Sequence, residues 1–332
     1  MQMRHKARAG PRLLFLVLCA VLLATFSGRA EAEPTNPLLS VVRIEAHVPG
    51  DSRTASRLGT ERAGAGVVIA GDGLILTIGY LILEADEVAV TDRDGRRFPA
   101  EIVAYDHATG FGLLRAHEGL DVPAVALGVS GEIEHLQTLL AASVGPVPAH
   151  PVQVRAVKPF AGGWEYLIEG AVFTVPPISE FGGAALFGED GRLLGIGSLI
   201  LGDAGGSGEA GNMFVPIDLL KPVLGDLLAF GRSTEPARPW VGIYPAEIRG
   251  YLVVSGLAEG GPGASAGLER GDLLIAVGEE PVKDMEGFFR AIWALGPAGT
   301  RVPLTVLRDG SVFSIEIESR DRHDWLKLGR TY

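Results

Sequence analysis

The chain has 332 residues, 47% hydrophobic and 21% charged, which excludes a disordered polymer and leaves room for two ordinary domains with sizeable cores. Its formal net charge is −11. A surface of that sign repels phosphate backbones and anionic headgroups, which argues against nucleic acid and against a peripheral membrane role.

The first 32 residues read as a signal peptide. Arg4, Lys6, Arg8 and Arg12 form a basic start, Leu13 to Phe26 is an uncharged and mostly apolar run, and Ala30-Glu31-Ala32 offers small residues where a signal peptidase needs them. At about 1.5 Å per residue that run spans roughly 21 Å, short of a hydrocarbon core of roughly 30 Å. Export to the periplasm is therefore favoured over the alternative, a retained anchor. Cleavage would remove five basic residues (Arg4, Lys6, Arg8, Arg12, Arg29) and one acidic (Glu31), taking the charge from −11 to −15. The only cysteine, Cys19, would leave with them. A chain without disulfides neither supports nor opposes export, because domains of this size bury cores of their own.

From residue 38 to 232 short apolar runs alternate with Gly, Pro, Asp and Asn. Strands are predicted at Ser40–Ala46, Gly66–Ala70, Leu74–Thr77, Glu87–Val90, Ala100–Ala104, Leu113–Arg115, Leu139–Val144, Trp164–Ile168 and Leu193–Ile200. Turn signals such as Gly71-Asp72-Gly73, Asp94-Gly95 and Asp190-Gly191 between them predict an all-β sandwich or a pair of barrels. The clearest helix signal in this half runs from Asp218 to Phe230 and stops at Gly231. The polar, Pro-rich stretch beginning at Ser233 predicts a linker at 233–237. A smaller α+β unit follows at 238–320, with strands Tyr251–Ser255, Leu273–Val277, Val302–Leu307 and Val312–Glu318 and a helix Asp284–Leu295, and then a tail at 321–332.

The order of landmarks resembles the HtrA (Do/Deg) family of envelope serine proteases. Gly64-Ala65-Gly66-Val67-Val68-Ile69, Asp72 to Thr77, Asp94-Gly95-Arg96, Leu127-Gly128-Val129 and Met213-Phe214-Val215-Pro216 all fall in the family's order. The resemblance implies a mostly β fold, a chymotrypsin-like double β-barrel followed by an α+β PDZ domain.

The departures fall on the chemistry. A serine protease needs a hydroxyl nucleophile, an imidazole to carry its proton and a carboxylate to orient the imidazole. Where the family writes its histidine, this chain has Tyr80, and a phenol is a poor base at neutral pH. After Asp106-His107-Ala108-Thr109, Gly110 stands where the family places its aspartate. Glu180-Phe181-Gly182-Gly183 aligns with the nucleophile loop, so that the serine becomes Gly182, or Phe181 with a shift of one residue. Glu180 replaces a glycine of the oxyanion loop, and an inward carboxylate there would oppose the developing negative charge. The alternative is a relocated site using Ser179 with His107 or His117. Isolated histidines such as His47, His135 and His150 read as surface or turn residues, and no Cys/His cluster suggests a metal.

Gly261-Pro262-Gly263-Ala264 with Ala266-Gly267-Leu268-Glu269-Arg270-Gly271-Asp272 resembles the hallmark of PDZ domains. By that resemblance Trp240, Val241, Gly242 and Ile243 form the loop that receives a peptide's C-terminal carboxylate on backbone N–H groups. Phe288 and Ile292 of the following helix are expected to line the groove where a ligand adds as a strand. The motif also makes the turn into a buried strand, so folding and binding both call for it. Glu33 to Ser40 contains no aromatic, so the trimer held by N-terminal aromatics in the family is not assumed.

Two readings follow. In the first, the protein has lost proteolysis and binds peptide C-termini or unfolded envelope proteins, as an adaptor, sensor or regulator, with itself or an active HtrA paralogue as a further partner. In the second, it is an active serine endopeptidase using displaced residues. No cofactor is expected in either.

Overall fold

The computed structural model describes residues 36–328 apart from 118 and 207. The signal-peptide reading of residues 1–32 lies outside the described residues. Among the described residues no helix is long and apolar enough to cross a membrane.

Among the described residues eighteen strands build three units. The first is a closed barrel of β1 (Val41–His47), β2 (Glu61–Ala70), β3 (Leu74–Ile78), β4 (Glu87–Thr91), β5 (Arg97–Tyr105) and β6 (Phe111–Ala116), in the order β1-β2-β3-β6-β5-β4. Ile44, Phe111 and Leu113 are fully buried, and β3 is buried on both faces, with Ile75 and Leu76 both inaccessible. Where β1, β2 and β3 meet, Gly66 leaves room for Ile44 and Ile75, because a Cβ there would fall within 2.7 Å of both.

The second closed barrel comprises β7 (Thr138–Ala142), β8 (Ala149–Gly162), β9 (Tyr166–Val175), β10 (Ala185–Phe187), β11 (Leu193–Leu201) and β12 (Gly211–Pro216), in the order β10-β11-β12-β9-β8-β7. The strand β8, absent from the sequence expectation, carries Pro151 and Pro159. Its pairing with β9 slips twice, once between Val154 and Ala156 and once between Lys158 and Phe160, so Pro159 falls in a bulge where no ladder donor is required.

The predicted helix from Asp218 is divided. A 3-10 turn at Ile217–Leu219 is followed by hydrogen-bonded turns over 220–223, and only α1 (Leu224–Phe230) is α-helical. Pro222 has no N–H to donate to the preceding turn, which accounts for the break in the helical ladder. The helix ends as predicted, with Gly231 at φ 71° and its N–H on Leu227 O at 3.1 Å.

The third unit is a sheet ordered β13 (Ile243–Ile248), β14 (Tyr251–Leu257), β15 (Leu273–Val277), β17 (Arg301–Arg308), β18 (Ser311–Glu318), with the short β16 (Glu280–Pro281) paired to β15. It is covered by α2 (Met285–Ala294), whose N-cap Asp284 accepts a hydrogen bond from Gly287 N–H at 2.7 Å. Asp272, the acidic residue of the Gly-Asp turn, is buried. Burial works against its charge, but the Arg308 fork (2.6 and 2.7 Å) and Glu269 N–H (2.9 Å) hold its carboxyl below the usual range. The fold is therefore mostly β, two trypsin-like barrels and a PDZ domain.

Candidate functional site

Three loops meet where the two barrels face each other. Tyr80 lies in the 3-10 turn Gly79–Leu81 that follows β3, Gly110 in the turn before β6, and Gly182 in the loop before β10. They converge. Gly79 N–H donates to Gly110 O at 2.7 Å, and a Cβ on Gly182 would lie 2.9 Å from the Tyr80 hydroxyl. Ala65 N–H donates to Gly182 O at 2.8 Å, which ties the loop to β2.

The space between these positions is filled by two phenols. Tyr80 donates its hydroxyl to Ser198 O at 3.0 Å, and burial pushes it above the ordinary phenol range, so it is a poorer base still. Tyr166, at the start of β9, donates to Thr109 O at 2.7 Å. Its hydroxyl would sit 2.9 Å from a Cβ on Gly110, so the ring of Tyr166 takes the room that a side chain at 110 would need. No signal in the sequence marked Tyr166, because its role depends on which loop the β9 strand faces.

Glu180 is exposed, and its carboxylate accepts from Ser179 Oγ at 2.6 Å instead of turning inward. Its backbone carbonyl accepts from Ser143 Oγ at 2.6 Å, and Phe181 packs against the second barrel. Next to them Gly183, at φ 75°, approaches Ala65 O so closely that no Cβ fits. Among the described residues no serine or threonine hydroxyl bonds to a histidine ring. Ser179 and His117 are exposed, whereas His107 lies at the barrel–PDZ junction with neither ring nitrogen partnered. Burial first, and then Arg322, hold the His107 imidazole well below its ordinary pKa. Among the described residues no group of His, Cys, Asp or Glu could hold a metal ion.

The segment expected to form the carboxylate loop lies just before and at the start of β13, the edge strand of the third sheet. Trp240, Val241 and Ile243 are buried, and Gly242 at φ 70° curls the backbone so that the N–H groups on either side point to one spot. A carboxylate occupies that spot. Glu165, in the turn of the β8–β9 hairpin of the second barrel, accepts from Val241 N–H at 3.1 Å and from Ile243 N–H at 2.9 Å, one bond to each oxygen. Burial pushes its pKa up to about 7 even though these two donors pull the other way.

The hairpin follows its glutamate into the groove. Gly163 backs onto β13, where a Cβ would come 2.6 Å from Pro245 O, and Ala161 packs on the PDZ core. Arg290 of α2 pairs with Glu169 of β9 at 2.5 Å. Phe288 and Ile292 are fully buried under α2 together with Phe289. Beyond the loop, Trp240 exchanges backbone hydrogen bonds with Arg320 and packs on Trp325 at 4.7 Å, so the segment after β18 closes over the loop. Arg322 then donates to Trp164 O at 3.0 Å.

Comparison with known proteins agrees with this architecture. A trypsin-like peptidase domain matches residues 64–196 and a PDZ domain matches residues 253–308. A probable periplasmic serine endoprotease DegP-like from Pseudomonas fluorescens is 27% identical over 76% of this chain and 55% of its own length. The periplasmic pH-dependent serine endoprotease DegQ of Escherichia coli is 24% identical over 77% and 59%. The chain thus spans a little over half the length of the curated relatives it matches. In fold it is similar to the HtrA-type protease AlgW with tripeptide, at a TM-score of 0.52 and 22% identity, covering 86% of this chain and 96% of that one. The two barrels, the edge-strand loop and these likenesses together make the chain a trypsin-like peptidase domain with a C-terminal PDZ domain, homologous to the DegP and DegQ HtrA proteases.

Proposed function

We propose that this protein is an exported, non-proteolytic HtrA-like protein that recognises peptide C-termini or unfolded segments through the loop Trp240-Val241-Gly242-Ile243. The observation that carries the reading is the pairing of two features. The positions where the family places its histidine, aspartate and serine come together as Tyr80, Gly110 and Gly182 with two phenols in the space between, while the PDZ loop presents two N–H groups already holding a carboxylate. A site without a nucleophile, an imidazole base or an orienting carboxylate supplies none of the proton transfers of acyl transfer. A loop that binds Glu165 has the donors a peptide terminus needs, and β13 is the edge strand of its sheet, on which such a peptide adds as a strand once the hairpin is displaced.

Incubation of the purified chain with unfolded casein tests the first half, with no cleavage expected. Retention of free-carboxylate peptides over their C-terminal amides tests the second. The relatives' names, which are those of endoproteases, favour one other reading, an active endopeptidase with displaced residues. Casein cleavage that disappears in Ser179→Ala would establish it and overturn the reading proposed here.

A further inference from the structure

We propose that Glu165 is an internal competitor for the PDZ carboxylate loop, so that a peptide with a free C-terminal carboxylate binds only by displacing the β8–β9 hairpin from the groove. The inference rests on the reading of this loop as a peptide-carboxylate site, and adds how access to it is controlled.

Glu165 is held as a ligand carboxylate would be. Each oxygen takes one backbone N–H, and the residue is buried, with the Gly242 turn aiming both donors. A second carboxylate cannot share these donors, because the two Glu165 oxygens already stand in front of both N–H groups. The exclusion extends along the strand direction. Gly163 lies on Pro245 O of β13, Ala161 lies on the core beneath, and the Arg290–Glu169 pair ties the α2 side of the groove to β9. Only glycine fits closely at Gly163, and a bulkier residue there would lift the hairpin off the strand edge that a ligand has to use.

The contact is also built to release. Glu165 adopts φ 57°, a left-handed conformation uncommon for a residue with a Cβ, in a turn where glycine would sit without strain. Its carboxylate gains backbone donors and the attraction of nearby Arg322 but gives up water, and the loss of water is the largest of these effects. A peptide terminus offers the same two bonds and adds pairing along β13, so the exchange favours the ligand when its side chains fit.

The experiment uses the full chain as wild type, Glu165→Gln and Glu165→Gly. The probe is a fluorescent library of random decapeptides, prepared with free C-terminal carboxylates and again as amides, read by anisotropy, with amide hydrogen exchange at Val241 and Ile243 measured in parallel. Gln keeps the side-chain length but offers one acceptor where two are needed, and Gly suits the left-handed turn, so both variants are expected to fold. Both should bind the carboxylate library about tenfold more tightly than wild type, as for a groove that is open about a tenth of the time, with no change for the amides. The Val241 and Ile243 amides should lose protection in the Gly variant. Equal carboxylate binding by all three forms, or unchanged protection in the Gly variant, would overturn the latch while leaving peptide recognition intact. Loss of protection without binding of carboxylate over amide in either variant would overturn peptide recognition and, with it, the competitor role.

Discussion

Arg62 is a buried cation whose work is to hold a loop. Its guanidinium donates to Tyr80 O (2.8 Å), Leu83 O (2.9 Å), Gly59 O (3.1 Å) and Thr54 Oγ1 (2.9 Å), and desolvation lowers its pKa although nearby Glu84 pulls it back. Truncation leaves several buried acceptors without donors, so Arg62→Ala should destabilise the first barrel by about 3 kcal/mol in urea unfolding. Arg62→Lys should recover only part, because an ammonium cannot reach the four acceptors of a planar fork. Glu165 makes the other residue-scale prediction. Its folded pKa of about 7 lies above the ordinary 4.5, so the closed form holds its proton more tightly than the open form. Its contribution is therefore fully present below pH 4.5 and is lost as pH rises through 7, and the junction should loosen across that window. Arg322, His323 and Asp321 of the segment after β18, Asp106 and His107 before β6, Arg238 before β13, and Arg232 and Glu235 after α1 line the same cavity. The two histidines have lowered pKa values and act in the opposite sense, stabilising the fold above their ordinary pKa and less so as pH falls. Glu165→Gln isolates the glutamate's share, and amide exchange at Val241 against pH should be flatter in that variant than in wild type.

The elements were unequally legible in the sequence. Most strands of the first barrel were visible because apolar alternation is bounded there by Gly-Asp and Asp-Gly turns, as at Gly71-Asp72-Gly73 and Asp94-Gly95. The fourteen residues of β8 were not, since Pro151 and Pro159 and a largely exposed face erase the pattern that marks a strand. The start of β9 was misplaced by two residues for a related reason. Trp164 and Glu165 look like strand residues, yet they form the turn of the hairpin, and nothing in a glutamate announces a left-handed backbone. That Tyr80, Gly110 and Gly182 lie near one another was readable because all three stand in motifs. Their filling by Tyr166 and the occupation of the PDZ loop by Glu165 were not, because both depend on contacts between residues 57 to 78 positions apart. Gly182-Gly183 was open to two explanations, ancestry or a tight turn, and packing supports the second. Gly183→Ala should cost about 3 kcal/mol or more, given a positive φ together with collision against Ala65 O, and a lowered urea midpoint without loss of PDZ ligand binding would show the effect to be local to the barrels.

At the scale of the molecule, the crowding at the barrel seam bears on what a triad placed there could do. On the proposed non-proteolytic reading, Tyr80→His, Gly110→Asp and Gly182→Ser together would supply the three groups of a serine protease. An aspartate at 110 would still need a backbone at φ 77° and would meet the Tyr166 hydroxyl. The triple variant is expected to cleave casein no faster than wild type and to unfold at lower urea, whereas adding Tyr166→Phe should relieve only the hydroxyl contact. Robust cleavage by the triple variant would mean that the phenols yield easily and that the seam is no barrier.

The four tryptophans of the chain all belong to the junction between barrel and PDZ domain. Trp164 stacks on Tyr166 at 5.4 Å, Trp240 packs on Trp325, and Trp293 lies under Arg238 at 4.1 Å. Only Trp164 also packs against the barrel core, from the β8–β9 hairpin. Intrinsic ultraviolet emission from this protein is consequently weighted to the junction. A red shift on adding a peptide, with far-ultraviolet dichroism unchanged, would record the hairpin leaving its groove in the unlabelled chain.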